Sequence, residues 1–160
     1  MSGNRNVLVL GSKPDSKLPD IDVDMIYSAN GAAERALFYK QLYPNTPHTA
    51  LIAAKEFMEN EQVKMRVIKS KPNKLIVRSG TIQVPEELTN YSCEIVYFNQ
   101  KEQFNFQSRF YKLGWLDIVL GEMIYEDNFL EILKHLYKCI KYRGFLGVST
   151  GFFSILLAAM

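Results

Sequence analysis

Asn6-Val7-Leu8-Val9-Leu10-Gly11 is a short, unbroken run of branched apolar residues that closes on glycine. A strand exposed on one face would alternate apolar with polar residues, whereas a run apolar at every position must be buried on both faces. That is the signature of a strand inside a parallel sheet. Four more segments read as strands: Val23–Ser28, Thr49–Ala53, Lys74–Arg78 and Glu94–Phe98. Between them lie stretches of helical character, from Ala32 to Leu42 and from Lys55 to Lys69, with Pro44 and Pro47 ending the first. Strands alternating with helices at this spacing predict a three-layer α/β domain, with a mostly parallel, Rossmann-like sheet flanked by helices.

The inward residues expected of the first helix are Ala33, Ala36, Leu37 and Phe38. Those of the second are Phe57, Met58, Val63, Val67 and Ile68. Glu86-Glu87 after Pro85 reads as the first turn of a further helix, where acids complement the dipole. After Phe98 the character changes. From Gln100 to Gly114, aromatic and polar residues interleave, which fits a helix, a lid or an acceptor-facing insertion. Asn128–Tyr142 then reads as a helix, with Leu130, Leu133, Leu136, Tyr137 and Ile140 at three- and four-residue steps and Gly144 as its stop.

A length of 160 residues is most simply one domain, and 48% hydrophobic with 22% charged residues argues against disorder. The net charge of +2 gives no concentrated basic face of the kind nucleic acid demands. The basic residues from Lys64 to Arg78 are expected on a solvated face or at strand ends, with weak attraction for anionic lipid or glycan as the alternative. Cys93 and Cys139 are far apart and lack ligand spacing, so both read as reduced, buried thiols. The N-terminus has no apolar signal core. Glycines and small polar residues make Gly144–Met160 a poor membrane span. A cytoplasmic protein follows, with peripheral contact at an inner membrane as its furthest membrane association.

Three segments are suited to hold a ligand at the carboxyl ends of strands. Gly11-Ser12 follows the first strand and Asn30-Gly31 follows the second. Ser149-Thr150-Gly151 opens an apolar helix whose amide groups favour an anion. Gly11 lacks the further glycines of a dinucleotide fingerprint, and no Gly-Lys-Ser/Thr follows at P-loop distance. A methyltransferase-like reading is weak for the same reason. Asn30 offers a donor and an acceptor to a base or ribose edge, or else simply caps a turn. His48 reads as an exposed or capping residue and His135 as a helix-surface one, and neither has an acidic partner at orienting spacing.

Taken together, a strand ending in Gly-Ser-x-Pro, an asparagine after the second strand and a distant Ser-Thr-Gly opening an apolar helix resemble sialyltransferase-like bacterial glycosyltransferases. The resemblance implies a CMP-activated sugar donor and a glycan acceptor, in surface glycan or lipooligosaccharide synthesis. It implies that Gly11, Ser12, Asn30, Gly31, Ser149, Thr150 and Gly151 bind the nucleotide sugar, with no cofactor and no metal. Lys13 departs from the small residue usual in that turn. The family's catalytic histidine falls beyond Met160, so the resemblance leaves the catalytic residue unknown and implies a nucleotide-binding domain that continues past residue 160. The competing expectation is a noncatalytic α/β module that scaffolds a partner through Phe104–Trp115 or self-associates as a homo-oligomer.

Overall fold

A computed structural model describes residues 5–11, 17–99, 102, 103, 106, 130, 133, 137 and 150–159. The chain forms two compact units. One comprises Met1–Tyr97 with Ser149–Met160, and the other Phe98–Val148. The boundary falls where the sequence changes character, although no linker composition marks it.

The first unit holds a parallel, Rossmann-like sheet. Its strands are β1 (Val7–Leu10), β2 (Met25–Ala29), β3 (His48–Ala53), β4 (Lys74–Arg78) and β5 (Glu94–Phe98), in spatial order β1-β2-β3-β4-β5. The register pairs Leu10 with Ser28, Ala29 with Leu51 and Ala53 with Arg78. β3 lies at the centre, and its first five residues are all buried. Strands that pair in sequence order, joined by right-handed crossovers, put their connecting helices on one face of the sheet. Those elements are a 3-10 turn at Asn30–Glu34, α1 (Arg35–Leu42), α2 (Ala54–Glu59), α3 (Glu61–Lys69) and α4 (Glu86–Asn90).

The core reflects that arrangement. Ala50, Ile52, Leu75 and Val77 project to one face and meet Phe57, Val63 and Val67 of α2 and α3. Leu10 and Ile26 meet Ala36 and Tyr39 of α1 in a second cluster. The alternate residues, among them Arg78, point to the other face. There they meet α5 (Thr150–Ala158), which packs against β1, β2 and β3. Helices, sheet and α5 are the three layers.

Two local readings differ from expectation. The predicted single helix over Lys55–Lys69 breaks at Asn60, whose backbone is extended at φ −114° and ψ 96°. Asn60 Oδ1 accepts from the Val63 amide at 3.2 Å, and its Nδ2 donates to Glu56 Oε1 at 3.0 Å, so one side chain stops α2 and caps α3. Phe38 and Met58, expected inside, are exposed, whereas Ala33, Ala36, Phe57, Val63 and Val67 are buried as expected.

In the second unit, Glu102, Gln103, Phe106, Leu130, Leu133 and Tyr137 are helical. Asn99 Oδ1 accepts from the Glu102 amide at 3.0 Å, and Glu102 Oε2 accepts from the Asn99 amide at 2.9 Å. This reciprocal pair is a capping box that starts a helix after β5. Phe98 and Phe106 pack edge to face at 6.1 Å. Leu130, Leu133 and Tyr137, read as recurring at helical steps, are helical and exposed. His135, Cys139, Leu136, Ile140 and Phe104 lie outside the described residues.

Candidate functional site

The carboxyl ends of the strands gather most of the expected binding residues at one edge of the sheet. Gly11 follows Leu10, which pairs with Ser28, so the register sets it beside the end of β2. It is exposed, and a Cβ added there would meet nothing within 4 Å among the described residues. Ser12 and Ser149 lie outside the described residues.

Asn30 adopts φ +46°, a left-handed conformation that asparagine tolerates better than most residues. Its Oδ1 accepts from the Ala53 amide at 3.2 Å, tying the end of β2 to the end of β3. The acceptor of this side chain is therefore engaged within the fold, which leaves its amide group as the part suited to a ligand. Gly31 lies close to α3. A Cβ there would come within 3.3 Å of Arg66 Nη1 and 3.6 Å of Val63 Cγ2, both on α3. Arg66 in turn pairs with Glu34 at 3.3 Å, closing the 3-10 turn onto α3.

Thr150 and Gly151 form the first turn of α5 and are half-buried. Ser154 donates its hydroxyl to the Gly151 carbonyl at 2.6 Å. Phe153, fully buried, lies under the Arg78 guanidinium, with 4.6 Å between Cζ and the ring centroid. Because Arg78 ends β4, this contact brings the amino-terminal turn of α5 to the carboxyl edge of the sheet. Four amides at a helix start have no partner within the helix, and the helix dipole makes them a positive pole.

Sequence reasoning missed Arg78. It was read with the basic residues on a solvated face or at a strand end, yet it is only 6% exposed, and burial lowers its pKa to about 10. The other basic residues of that stretch behave as expected. Lys64 pairs with Glu61 at 3.3 Å, and Lys74 with Glu94 at 3.0 Å, all partly or largely exposed.

His48 is also not where it was expected. It begins the central strand, is fully buried, and shares a 2.8 Å hydrogen bond between Nε2 and Ser28 Oγ. Its Nδ1 has no hydrogen-bond partner among the described residues. Its pKa is lowered to about 4, chiefly by burial and then by the charge of Lys40, with the Ser70 backbone offsetting part of the shift. A buried, weakly basic imidazole does not deprotonate a substrate near neutral pH. The Ser28–His48 pair is core structure.

A cavity of about 360 Å³ opens elsewhere, at the amino ends of β2 and β3. Asp22, Asp24, Leu42, Tyr43 and Thr46 are among its lining residues. Its carboxylates disfavour an anion. Among the described residues, no three histidine, cysteine or acidic side chains group to hold a metal ion, and no helix is long and apolar enough to cross a membrane. The sheet order contains no reversal among the described strands, so the carboxyl edge is shaped by loops and α5 and not by a switch-point crevice.

No family model, curated protein or solved structure matches the chain.

Proposed function

We propose that this chain binds a CMP-activated sugar at the carboxyl edge of its sheet, as the donor-binding part of a sialyltransferase-like glycosyltransferase acting on a glycan acceptor. The observation that carries the reading is the meeting of the amino-terminal turn of α5 with the carboxyl end of β4, on the edge that also bears Gly11 and Asn30. A helix start supplies donors for a phosphate without a metal, Gly11 leaves space for close approach, and the Asn30 amide group can donate to a base or ribose. The reading concerns donor binding. His48 is excluded as the base that would activate an acceptor hydroxyl, so that role belongs to another group. Contact with an anionic membrane surface draws little support from the basic stretch, since Lys64, Arg66 and Lys74 are paired with carboxylates.

Millimolar CMP should raise the melting temperature. At ten times its dissociation constant a ligand adds about 1.4 kcal/mol, roughly 3–6 °C for a chain of this size. The double variant Ser149→Ala/Thr150→Ala should lose that protection. An unchanged melting temperature of the unaltered protein in millimolar CMP would overturn the proposal.

The exposed Leu130, Leu133 and Tyr137 favour a second reading, a noncatalytic module that self-associates through this apolar stripe. Size-exclusion chromatography separates the two. A dimer indifferent to nucleotide supports the module, and a species that responds to CMP supports the donor site.

A further inference from the structure

We propose that the cavity at the amino ends of β2 and β3 binds a small aliphatic diamine: Asp22 and Asp24 receive its ammonium groups, Thr46 accepts a hydrogen bond from one of them, and Leu42 and Pro47 cover its carbon stem. The inference does not depend on the donor-binding reading, which concerns the opposite edge of the sheet.

A volume of about 360 Å³ falls within the range of small-ligand sites. The acidic side of the cavity comes from one short segment, Asp20-Ile21-Asp22-Val23-Asp24, in which Val23 is buried and the aspartates are exposed. Among the described residues none of these carboxylates forms an ion pair. Asp24 accepts from the Asn6 amide at 2.7 Å and Asp20 from the Tyr43 hydroxyl at 3.4 Å, while Asp22 has no such bond among the described residues. Two aromatic rings hold the segment in place. Tyr39, fully buried in α1, donates its hydroxyl to the Ile21 carbonyl, and Tyr43 stacks on it with ring centroids 5.0 Å apart. The Tyr43 hydroxyl registers the convergence of charge: its pKa is raised by burial first, and then by Asp20 and Asp22.

Thr46 supplies an independent indication. It lines the cavity and is only 6% exposed. Its backbone amide donates to the Tyr43 carbonyl at 3.3 Å, but its hydroxyl has no hydrogen-bond partner among the described residues. Buried hydroxyls are seldom left unpaired in folded proteins, so a polar group inside the cavity is the partner that it lacks. An ammonium group carries three donors and no acceptor, which suits a hydroxyl oxygen beside carboxylates. Two carboxylates in the lining are matched by two ammonium groups, and the stem between them lies along the apolar Leu42 and Pro47. Among the described residues no three histidine, cysteine or acidic side chains come together as metal ligands. A divalent ion such as calcium takes six or more oxygens, so an organic cation suits this lining better.

The test titrates the full chain with putrescine, butanol and magnesium chloride at low salt, by calorimetry. The variants are Asp22→Asn/Asp24→Asn, Thr46→Val and Asp22→Asn. The last changes an exposed side chain, and serves as the reporter if the double variant does not fold. We expect putrescine to bind the unaltered protein and its affinity to fall roughly tenfold in Asp22→Asn/Asp24→Asn, because two exposed charge pairs are lost. Thr46→Val keeps the shape and removes the acceptor, so a loss of roughly threefold to tenfold is expected there. Butanol, which carries an apolar stem and no charge, should bind more weakly and alike in all variants. Absence of putrescine binding to the unaltered protein, or equal binding in every variant, would overturn the proposal. So would butanol binding as tightly as putrescine. Losses in the aspartate variants with none in Thr46→Val would reduce the contact to surface charge and overturn the cavity site. Magnesium that displaces putrescine and depends on the same aspartates would make this a metal site and overturn the diamine assignment.

Discussion

The two edges of the sheet are built from opposite materials. At the amino edge, backbone groups stitch the strands together. Ile26 donates to the Pro47 carbonyl at 2.8 Å, Asn73 and His48 exchange two bonds of 2.9 Å, and Glu94 donates to the Asn73 carbonyl at 3.0 Å. Carboxylates lie here, with Asp22 and Asp24 lining the cavity. At the carboxyl edge a side-chain bond from the Ala53 amide to Asn30 ties β2 to β3, and the buried charge is the cation of Arg78. Concavity and carboxylates therefore mark one edge, and a buried cation the other. The difference teaches that hollow shape and buried charge need not coincide in this fold, so the proposed anionic ligand is not placed by the cavity.

The largest expected effect tests the stitched edge. His48 is fully buried, and its pKa in the fold is about 4 against 6.5 unfolded. Because the folded value is the lower one, the unfolded chain binds the extra proton between these two pH values. The stabilisation is complete above pH 6.5 and is lost as pH falls toward 4. A separation of this size is worth roughly 3 kcal/mol, on the order of 10 °C in melting temperature. Thermal melts from pH 7 to 4 should show that loss, and a His48→Gln variant should show a much flatter slope over the same window. Identical slopes in the two proteins would mean that other groups govern acid stability.

A smaller effect tests the Asn30 tie of the opposite edge. Asn30→Ala removes the bond to Ala53 and places an ordinary Cβ at φ +46°. The lost bond and the strain together cost about 2–3 kcal/mol. Asn30→Gly loses the same bond, but glycine adopts positive φ freely, so its cost should be nearer 1 kcal/mol. Urea unfolding of both variants decides this. If alanine proves as stable as glycine, the left-handed turn is not what asparagine is there to hold.

Much of the fold was legible because local chemistry and tertiary placement agree. Lys74–Arg78 and Glu94–Phe98 are strands with the expected limits, since a short run of branched and aromatic apolar residues between turn residues has few other fates. Pro85 with Glu86-Glu87 starts a helix as read. The change of character after Phe98 coincides with the boundary between compact units. The misses share one cause. His48 and Arg78 owe their burial to the central position of β3 and to α5 covering the second face of the sheet, and strand order is not a local property of the chain. The signal for Asn60 was present: an asparagine followed by Glu61, inside an otherwise helical run, is a helix start. Of the candidate site residues, Gly11, Asn30, Thr150 and Gly151 belong to the same edge or to the helix that reaches it. Gly31 also lies against Arg66 and Val63 of α3, a neighbour that comes from a segment thirty residues downstream.

The smallest expected effect is the sharpest test of the comparison. Asp22→Asn/Asp24→Asn removes two charges from the cavity edge. A five-residue strand spans about 16 Å, and charges separated by more than about 8–10 Å are largely screened at physiological ionic strength. CMP affinity should therefore stay within about twofold of the unaltered protein, with any change toward tighter binding as negative charge is lost. Asp24 also accepts from the Asn6 amide at 2.7 Å, an exposed bond whose loss costs at most about 1 kcal/mol. Fluorescence or calorimetric titration at two salt concentrations measures the affinity, and the urea midpoint measures the stability. A large loss of CMP binding in this double variant, with the midpoint barely moved, would transfer the ligand to the cavity among the carboxylates. The cation at the end of β4 would then be a structural charge, and the two edges would exchange roles.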